Sequence, residues 1–333
     1  MFTKYSNRRE FFKFLSLSFI LLLNSCRNGN ISKKLKIALQ ISFYPDAFKD
    51  LIPNSLEKEN IDLENIYPEK NTNKILESEF TLINDGWINK INFQEFKKIN
   101  ETSLFENLDK RSRDYLNSFE VNKRSKLLPI GVVPYAVIIK NNKDLIKPAS
   151  QSWDFLFSKQ LNKKIIFPSS PRIMFSIAKK INIPNALTKL KNQAKLFDDK
   201  NSINWLINSE ASVAIIPYNF CLKYLKYDPR LSIVFPDQGV PLIWHFVITR
   251  TNNIETLVSW IKLFEIEANV QKLAKQGWYL PFENNYTSGT YKPEIFSLEG
   301  PSENCWYNSW SLPLLTKLQK INLENSWNQS LIP

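Results

Sequence analysis

His245 is the only histidine in the chain. Imidazole is the side chain best suited to general acid–base work near neutral pH. Any His-dependent hydrolytic triad must therefore use this residue, and a metal site with two histidine ligands is ruled out. The seven glycines are too dispersed to form a phosphate-cradling loop or a dinucleotide fingerprint. No Gly-x-Ser-x-Gly turn is present to expose a nucleophilic serine. Acidic residues are plentiful, but the sequence alone does not show that two of them converge. Asp85 stands before Gly86 in a pattern that suits either a turn or a binding loop. The expectation is a non-enzyme with no cofactor and no resident metal. A general base at His245 is the competing reading.

The cysteines are Cys26, Cys221 and Cys305. Cys221 and Cys305 have neither redox nor zinc spacing. They read as unpaired thiols, with a disulfide in an oxidising compartment as the alternative.

Cys26 belongs to a different pattern. Arg8-Arg9-Glu10-Phe11-Phe12-Lys13 precedes an uncharged apolar stretch from Phe14 to Leu23. That stretch is shorter than the roughly 18–20 residues a spanning helix needs. A basic start, a short apolar segment and small residues describe an export signal. The pair Arg8-Arg9 with the following Phe-Phe-Lys resembles the twin-arginine type. Leu23-Asn24-Ser25-Cys26 resembles a bacterial lipobox, with Asn24 as its departure. Residues 1–26 are expected to be a leader ending in a lipidated Cys26. Each buried acyl methylene would contribute about 0.8 kcal/mol to membrane anchoring. The expected location is periplasmic, lipid-anchored to a membrane. The net charge of +12 comes from scattered lysines rather than a basic block. It argues against a nucleic-acid partner and leaves only weak attraction to anionic lipid.

The remaining length suits two lobes, and 43% hydrophobic residues suffice for a core in each. Strand patterns occur at 35–41, 80–83, 163–167, 211–216, 231–235 and 244–248. Pro129 to Lys140 is a long β-branched run, and Pro134 within it suggests an edge or a connection. Ser170-Pro171 starts a helix, with serine at the N-cap and proline in the first turn. Met174, Ile177, Ala178 and Ile181 give that helix one apolar face. Short helices alternate with the strands, near 201–208 and 218–226, at Leu257 to Phe264, and from Val270 to a stop at Gly277. This alternation predicts an α/β fold class with mixed sheets. In such sheets ligands bind beyond the carboxyl ends of strands, here after Ile41, Ile83, Ile216 and Phe235. Trp306, Trp310 and Trp327 suggest a C-terminal helix packed back onto a lobe.

Trp153-Asp154-Phe155-Leu156 followed by Leu161-Asn162-Lys163-Lys164-Ile165 resembles a segment of bacterial extracellular solute-binding proteins of the spermidine/putrescine type. Pro134-Tyr135, Ser169 to Arg172, Ala211 to Asn219, Pro236 to Gly239 and Trp244-His245 resemble further segments of that family in the same order. The likeness covers about residues 35–285. It implies a type II periplasmic binding protein, with two α/β lobes joined by a two-strand hinge and closing on a ligand between them. The implied division is 35–132 plus 249–290 for lobe 1, 133–248 for lobe 2, and 291–333 as a C-terminal segment. The hinges would fall near 130–139 and 244–249. The implied role is the envelope binding component of an ABC importer, a monomer that delivers a small solute to permease subunits. The implied ligand-binding set is Ser42, Tyr44, Asp85, Trp87, Tyr135, Arg172, Tyr218, Trp244 and His245. A polyamine requires carboxylates for its ammonium groups and aromatic faces for its stem. Where the family places acids, this chain has Ser170, Arg172, Ile173 and His245. The expected solute is therefore small and polar or amine-containing, and weakly cationic at most. Amino-acid, anion and metal-complex receptors are alternatives, as is an envelope enzyme using His245.

Overall fold

The computed structural model describes residues 35–40, 43–51, 61–65, 72–252, 254–283 and 300–329. Arg8, Arg9, Cys26 and Ser42 lie outside the described residues.

The described strands, in chain order, are β1 (Leu35–Leu39), β2 (Ile61–Asn65), β3 (Phe80–Asn84), β4 (Leu128–Lys140) and β5 (Ile165–Phe167). They continue with β6 (Ala194–Phe197), β7 (Val213–Pro217), β8 (Leu231–Val234), β9 (Pro241–Thr249) and β10 (Trp310–Ser311). The main order across the sheet is β2-β1-β3-β9-β4-β7-β5-β6. β8 pairs with β4, and β10 with β9. The helices that shape the site are α1 (Asp46–Asp50), α2 (Lys110–Asn117), α3 (Pro171–Lys180) and α4 (Tyr218–Tyr227). α5 (Glu267–Ala274), α6 (Glu303–Asn308) and α7 (Lys317–Gln329) follow.

β4 ties two halves together. Its residues Leu128–Pro134 pair antiparallel with β9, and from Tyr135 onward it pairs with β7 and then also β8. Every residue from Leu128 to Ile139 is buried, which explains the β-branched composition of a strand covered on both faces. The edge or connection expected from Pro134 is corrected here. Pro134 sits inside a central strand, at the point where pairing passes from β9 to β7. Proline cannot donate to a ladder, and a change of partner tolerates that loss. Pro129 likewise sits beside a register shift.

The first half carries β1, β2 and β3 in parallel, flanked by antiparallel β9. The second half carries β5, β6 and β7 in parallel. β9 pairs with β3 or β4 along almost its whole length. Residues 244–249, expected as a second crossing, therefore run within the first half's sheet. The chain comes back from the second half between Phe235 and Pro241. Helix α3 buries Ile173, Met174 and Ile177, and Ser170 occupies its N-cap without a side-chain cap bond.

The C-terminal segment straps both halves. Ser302 caps α6 by accepting from the Cys305 amide at 3.1 Å. Trp306 packs on Tyr279 at 4.9 Å, and β10 adds to β9 beside Pro241 and Leu242. Gly239, with φ of +87°, lies so close that a Cβ there would sit 2.2 Å from the Asn308 backbone. Helix α7 reaches the second half, where Trp327 meets Phe197 edge-on at 5.2 Å. Cys221 and Cys305 are both buried.

Candidate functional site

Side chains alternate between the faces of a strand, so neighbouring His245 and Trp244 on β9 point to opposite sides. On the His245 side, the ring of Trp278 lies 4.4 Å away and that of Tyr44 5.3 Å away. Phe43 is 6.3 Å away. Gly131 is the cross-strand partner of His245. A Cβ on Gly131 would stand 2.1 Å from the Trp278 ring, so only glycine lets that indole lie on the strand. Tyr44, in the turn before α1, also packs on Phe48 and Trp278 at 5.0 and 5.1 Å.

Several polar atoms gather here. Gln40 Oε1, Tyr44 OH, Asn219 Oδ1 and both His245 nitrogens are buried and have no hydrogen-bond partner among the described residues. Burial pushes the His245 pKa down to about 3, so its imidazole is neutral. Burial also raises the Tyr44 hydroxyl well above its ordinary value. Asn219, near the start of α4, donates from Nδ2 to the Phe43 carbonyl at 2.9 Å. That bond joins the two halves. Beside it opens a cavity of about 620 Å³, lined from both halves by Gln40, Phe43, Tyr44, Asn219, Phe220 and Gln276. Lys200, Lys223, Lys275, Asp46 and Asp199 also border it. A gap of about 10 Å³, sharing Gln40, Phe43 and Tyr44, runs deeper to Trp87 and His245.

On the Trp244 side, the indole Nε1 donates to Ser311 Oγ at 2.8 Å and the ring lies 5.0 Å from Tyr115. Tyr115 donates to Asp85 Oδ2 and Leu312 O, at 3.1 and 2.9 Å. Arg172 Nη2 lies 3.4 Å from Asp85 Oδ2 and 3.2 Å from the carbonyls of Leu312 and Pro313. Burial raises the Asp85 pKa, opposed by the Arg172 charge and by hydrogen bonds from Tyr115, Arg172 and the Gly86 amide. Asp85 thus faces an arginine rather than a second carboxylate.

The sequence-derived site residues divide accordingly. Tyr44, Trp87 and His245 share the cavity side; Asp85, Arg172 and Trp244 meet on the other. An aromatic box of Tyr44, Trp87, Tyr135, Tyr218 and Trp244 does not form, because Trp244 faces away from Tyr44. Trp87 carries Lys90 at 4.4 Å over its ring. Tyr135 is buried in β4, its hydroxyl pKa raised by burial and by the charges of Asp199 and Asp85. Tyr218 begins α4, fully buried and edge-on to Phe235 at 5.2 Å. The sequence reading missed Gln40, Tyr115, Asn219 and Trp278. Trp278 follows Gly277, which had been read only as a helix stop. Among the described residues, no group of His, Cys, Asp and Glu is placed to hold a metal ion.

No protein-family model matches the sequence, and no curated relative matches it. Solved structures do match in three dimensions. The spermidine/putrescine ABC transporter substrate-binding protein PotD of Streptococcus pneumoniae aligns with TM-score 0.66 at 12% identity, over 90% of this chain and 99% of that one. The TpPotD lipoprotein of Treponema pallidum aligns with TM-score 0.60 at 13% identity, over 89% and 98%. The apo ferric ion-binding protein A of Pasteurella haemolytica aligns with TM-score 0.55 at 12% identity, over 90% and 96%. With its β4 crossing, its two α/β halves and this likeness over nine-tenths of its length, the chain has the type II periplasmic binding protein fold.

Proposed function

We propose that this chain is the solute-capturing component of an ABC importer, not an enzyme. It is exported behind the Arg8-Arg9 signal and held to a membrane through Cys26. It works as a monomer and hands its solute to permease subunits. The observation that carries this reading is the cavity of about 620 Å³ between the two halves, edged by buried polar atoms that have no partner among the described residues. Such atoms cost stability until a ligand satisfies them. Closing two lobes over the ligand exchanges that cost for binding. The first lobe is taken as 35–132 with β9 and the chain that follows it, and the second as residues 133 to 240. Residues 300–329 pack across both.

The solutes named for the structural neighbours do not transfer directly. A polyamine receptor needs free carboxylates, and Asp85 is engaged by Arg172 and Tyr115. That pairing supports a small polar solute that is weakly cationic at most. Among the described residues no carboxylate bonds His245 to orient it as a general base, which supports binding over catalysis. A thermal-shift screen of polyamines, amino acids, sugars, heterocycles and anions tests the reading. A specific solute should raise the melting temperature in a saturable way. A flat response across the whole screen contradicts it.

A further inference from the structure

We infer that the cleft takes an uncharged, amino-substituted planar heterocycle, held edge-on by Gln40, Tyr44, Asn219 and His245 between aromatic rings. The inference rests on the receptor reading and names the solute class for that site.

The hydrogen-bonding inventory sets the edge of the ligand. Asn219 uses its nitrogen on the Phe43 carbonyl, so its unpartnered Oδ1 is an acceptor. Gln40 presents a second unpartnered carbonyl-type oxygen. A neutral imidazole carries one donor and one acceptor nitrogen, and a phenol can act either way. The site therefore offers at least three acceptors and one or two donors. Its complement is a group rich in N–H donors with one or two acceptor atoms. An exocyclic amine next to a ring nitrogen has that pattern.

The surroundings set the shape and charge. The rings of Tyr44, Trp278 and His245 pack within 5.3 Å of one another, tilted or edge-on. Phe43 and Phe220 meet 5.0 Å apart at the mouth. Flat aromatic walls favour a flat ligand. No carboxylate among the described residues lines the buried floor, which burial would make costly for a full ammonium charge. The carboxylates and lysines stand around the larger cavity instead. The floor gap is only about 10 Å³, so a ring enters only when the halves move apart and Asn219 parts from the Phe43 carbonyl.

The test is calorimetric titration of the purified protein with cytosine, adenine and spermidine. Saturable binding of cytosine or adenine is expected, with spermidine silent. Tyr44→Phe and Asn219→Leu should each weaken the heterocycle by about tenfold, the loss of one buried hydrogen bond. Tyr44→Phe is conservative enough to fold even if Asn219→Leu is not. Spermidine binding without heterocycle binding overturns the ligand class while leaving the receptor reading intact. Heterocycle binding that neither variant weakens overturns the assigned edge. Silence here and across the wider solute screen overturns both readings.

Discussion

Asp85 and Arg172 face each other across the two halves, with Arg172 Nη2 3.4 Å from Asp85 Oδ2. Asp85 follows β3 in the first half, and Arg172 stands in the first turn of α3 in the second. The same guanidinium nitrogen reaches the carbonyls of Leu312 and Pro313 in the C-terminal strap. One arginine thus ties together three parts of the chain distant in sequence. Its Asp85 partner is nearly fully enclosed, with 3% of its side chain exposed.

Removing one member of this pair should cost more than removing both. Arg172→Met leaves the Asp85 carboxylate buried with the Tyr115 hydroxyl and the Gly86 amide but without its cation, at a cost of about 3 kcal/mol. Asp85→Asn with Arg172→Met should be destabilised by less than the sum of the single variants, with a coupling of about 1–3 kcal/mol. Urea unfolding of the four proteins measures this. Strict additivity contradicts the pairing.

His245 gives a pH signature. Its pKa is about 3 in the folded protein and about 6.5 in the unfolded chain. Above pH 6.5 both states are neutral and the residue adds no pH dependence. Below it the unfolded chain takes a proton that the folded one refuses, so stability is lost as pH falls toward 3. The loss approaches about 1.4 kcal/mol per pH unit once the unfolded histidine is charged. Among the described residues the ring neighbours of this imidazole are Phe43, Tyr44 and Trp278, all uncharged. Unfolding free energies of the wild type and His245→Gln should therefore diverge from pH 6.5 to 4.5, with the wild type steeper. Parallel curves contradict the buried, neutral assignment.

Gly131→Ala should disrupt the cavity side from behind. The added methyl would meet the buried Trp278 indole at 2.1 Å and must push it away from His245. Overpacking of this kind costs about 1–3 kcal/mol. Chemical denaturation measures the loss, and near-ultraviolet circular dichroism should report a changed aromatic environment. An unchanged variant contradicts the contact.

Gly239→Ala should loosen the strap. The residue has φ of +87°, and a Cβ there would run into the Asn308 backbone. A cost above about 1 kcal/mol follows from the backbone conformation alone. Limited proteolysis should cut faster near α6 in the variant. Wild-type protection contradicts the tight approach.

Much of the framework was legible in the sequence because buried strands leave apolar runs, as in Ala211 to Ile216. The ordered likeness supplied the two-lobed arrangement. Short strands such as β2, β6 and β10 leave too few residues for a pattern to stand out. Pro134 misled because a proline rule for strand interiors does not foresee a strand that changes partners midway. In the site, Asp85 and Arg172 were visible as residues, but their pairing joins positions far apart in sequence. Gln40 carries no motif, and Asn219 stands only as the last residue of the family-like segment from Ala211. Only their convergence in space, with oxygens lacking partners, marks them. Trp244 and His245 are adjacent in sequence, but strand alternation sends them to opposite faces.

The central claim is that the two halves close over a solute. Val121, 66% exposed in the first half, and Tyr227, 78% exposed in the second, offer sites for spin labels after Val121→Cys and Tyr227→Cys. The native Cys221 and Cys305 are buried and shielded from labelling. Pulsed electron–electron resonance then reads the distance between the halves during titration with a solute that raises the melting temperature. The account predicts a broader or longer distance distribution without solute and a single shorter one at saturation. A distribution that is identical with and without bound solute would contradict it.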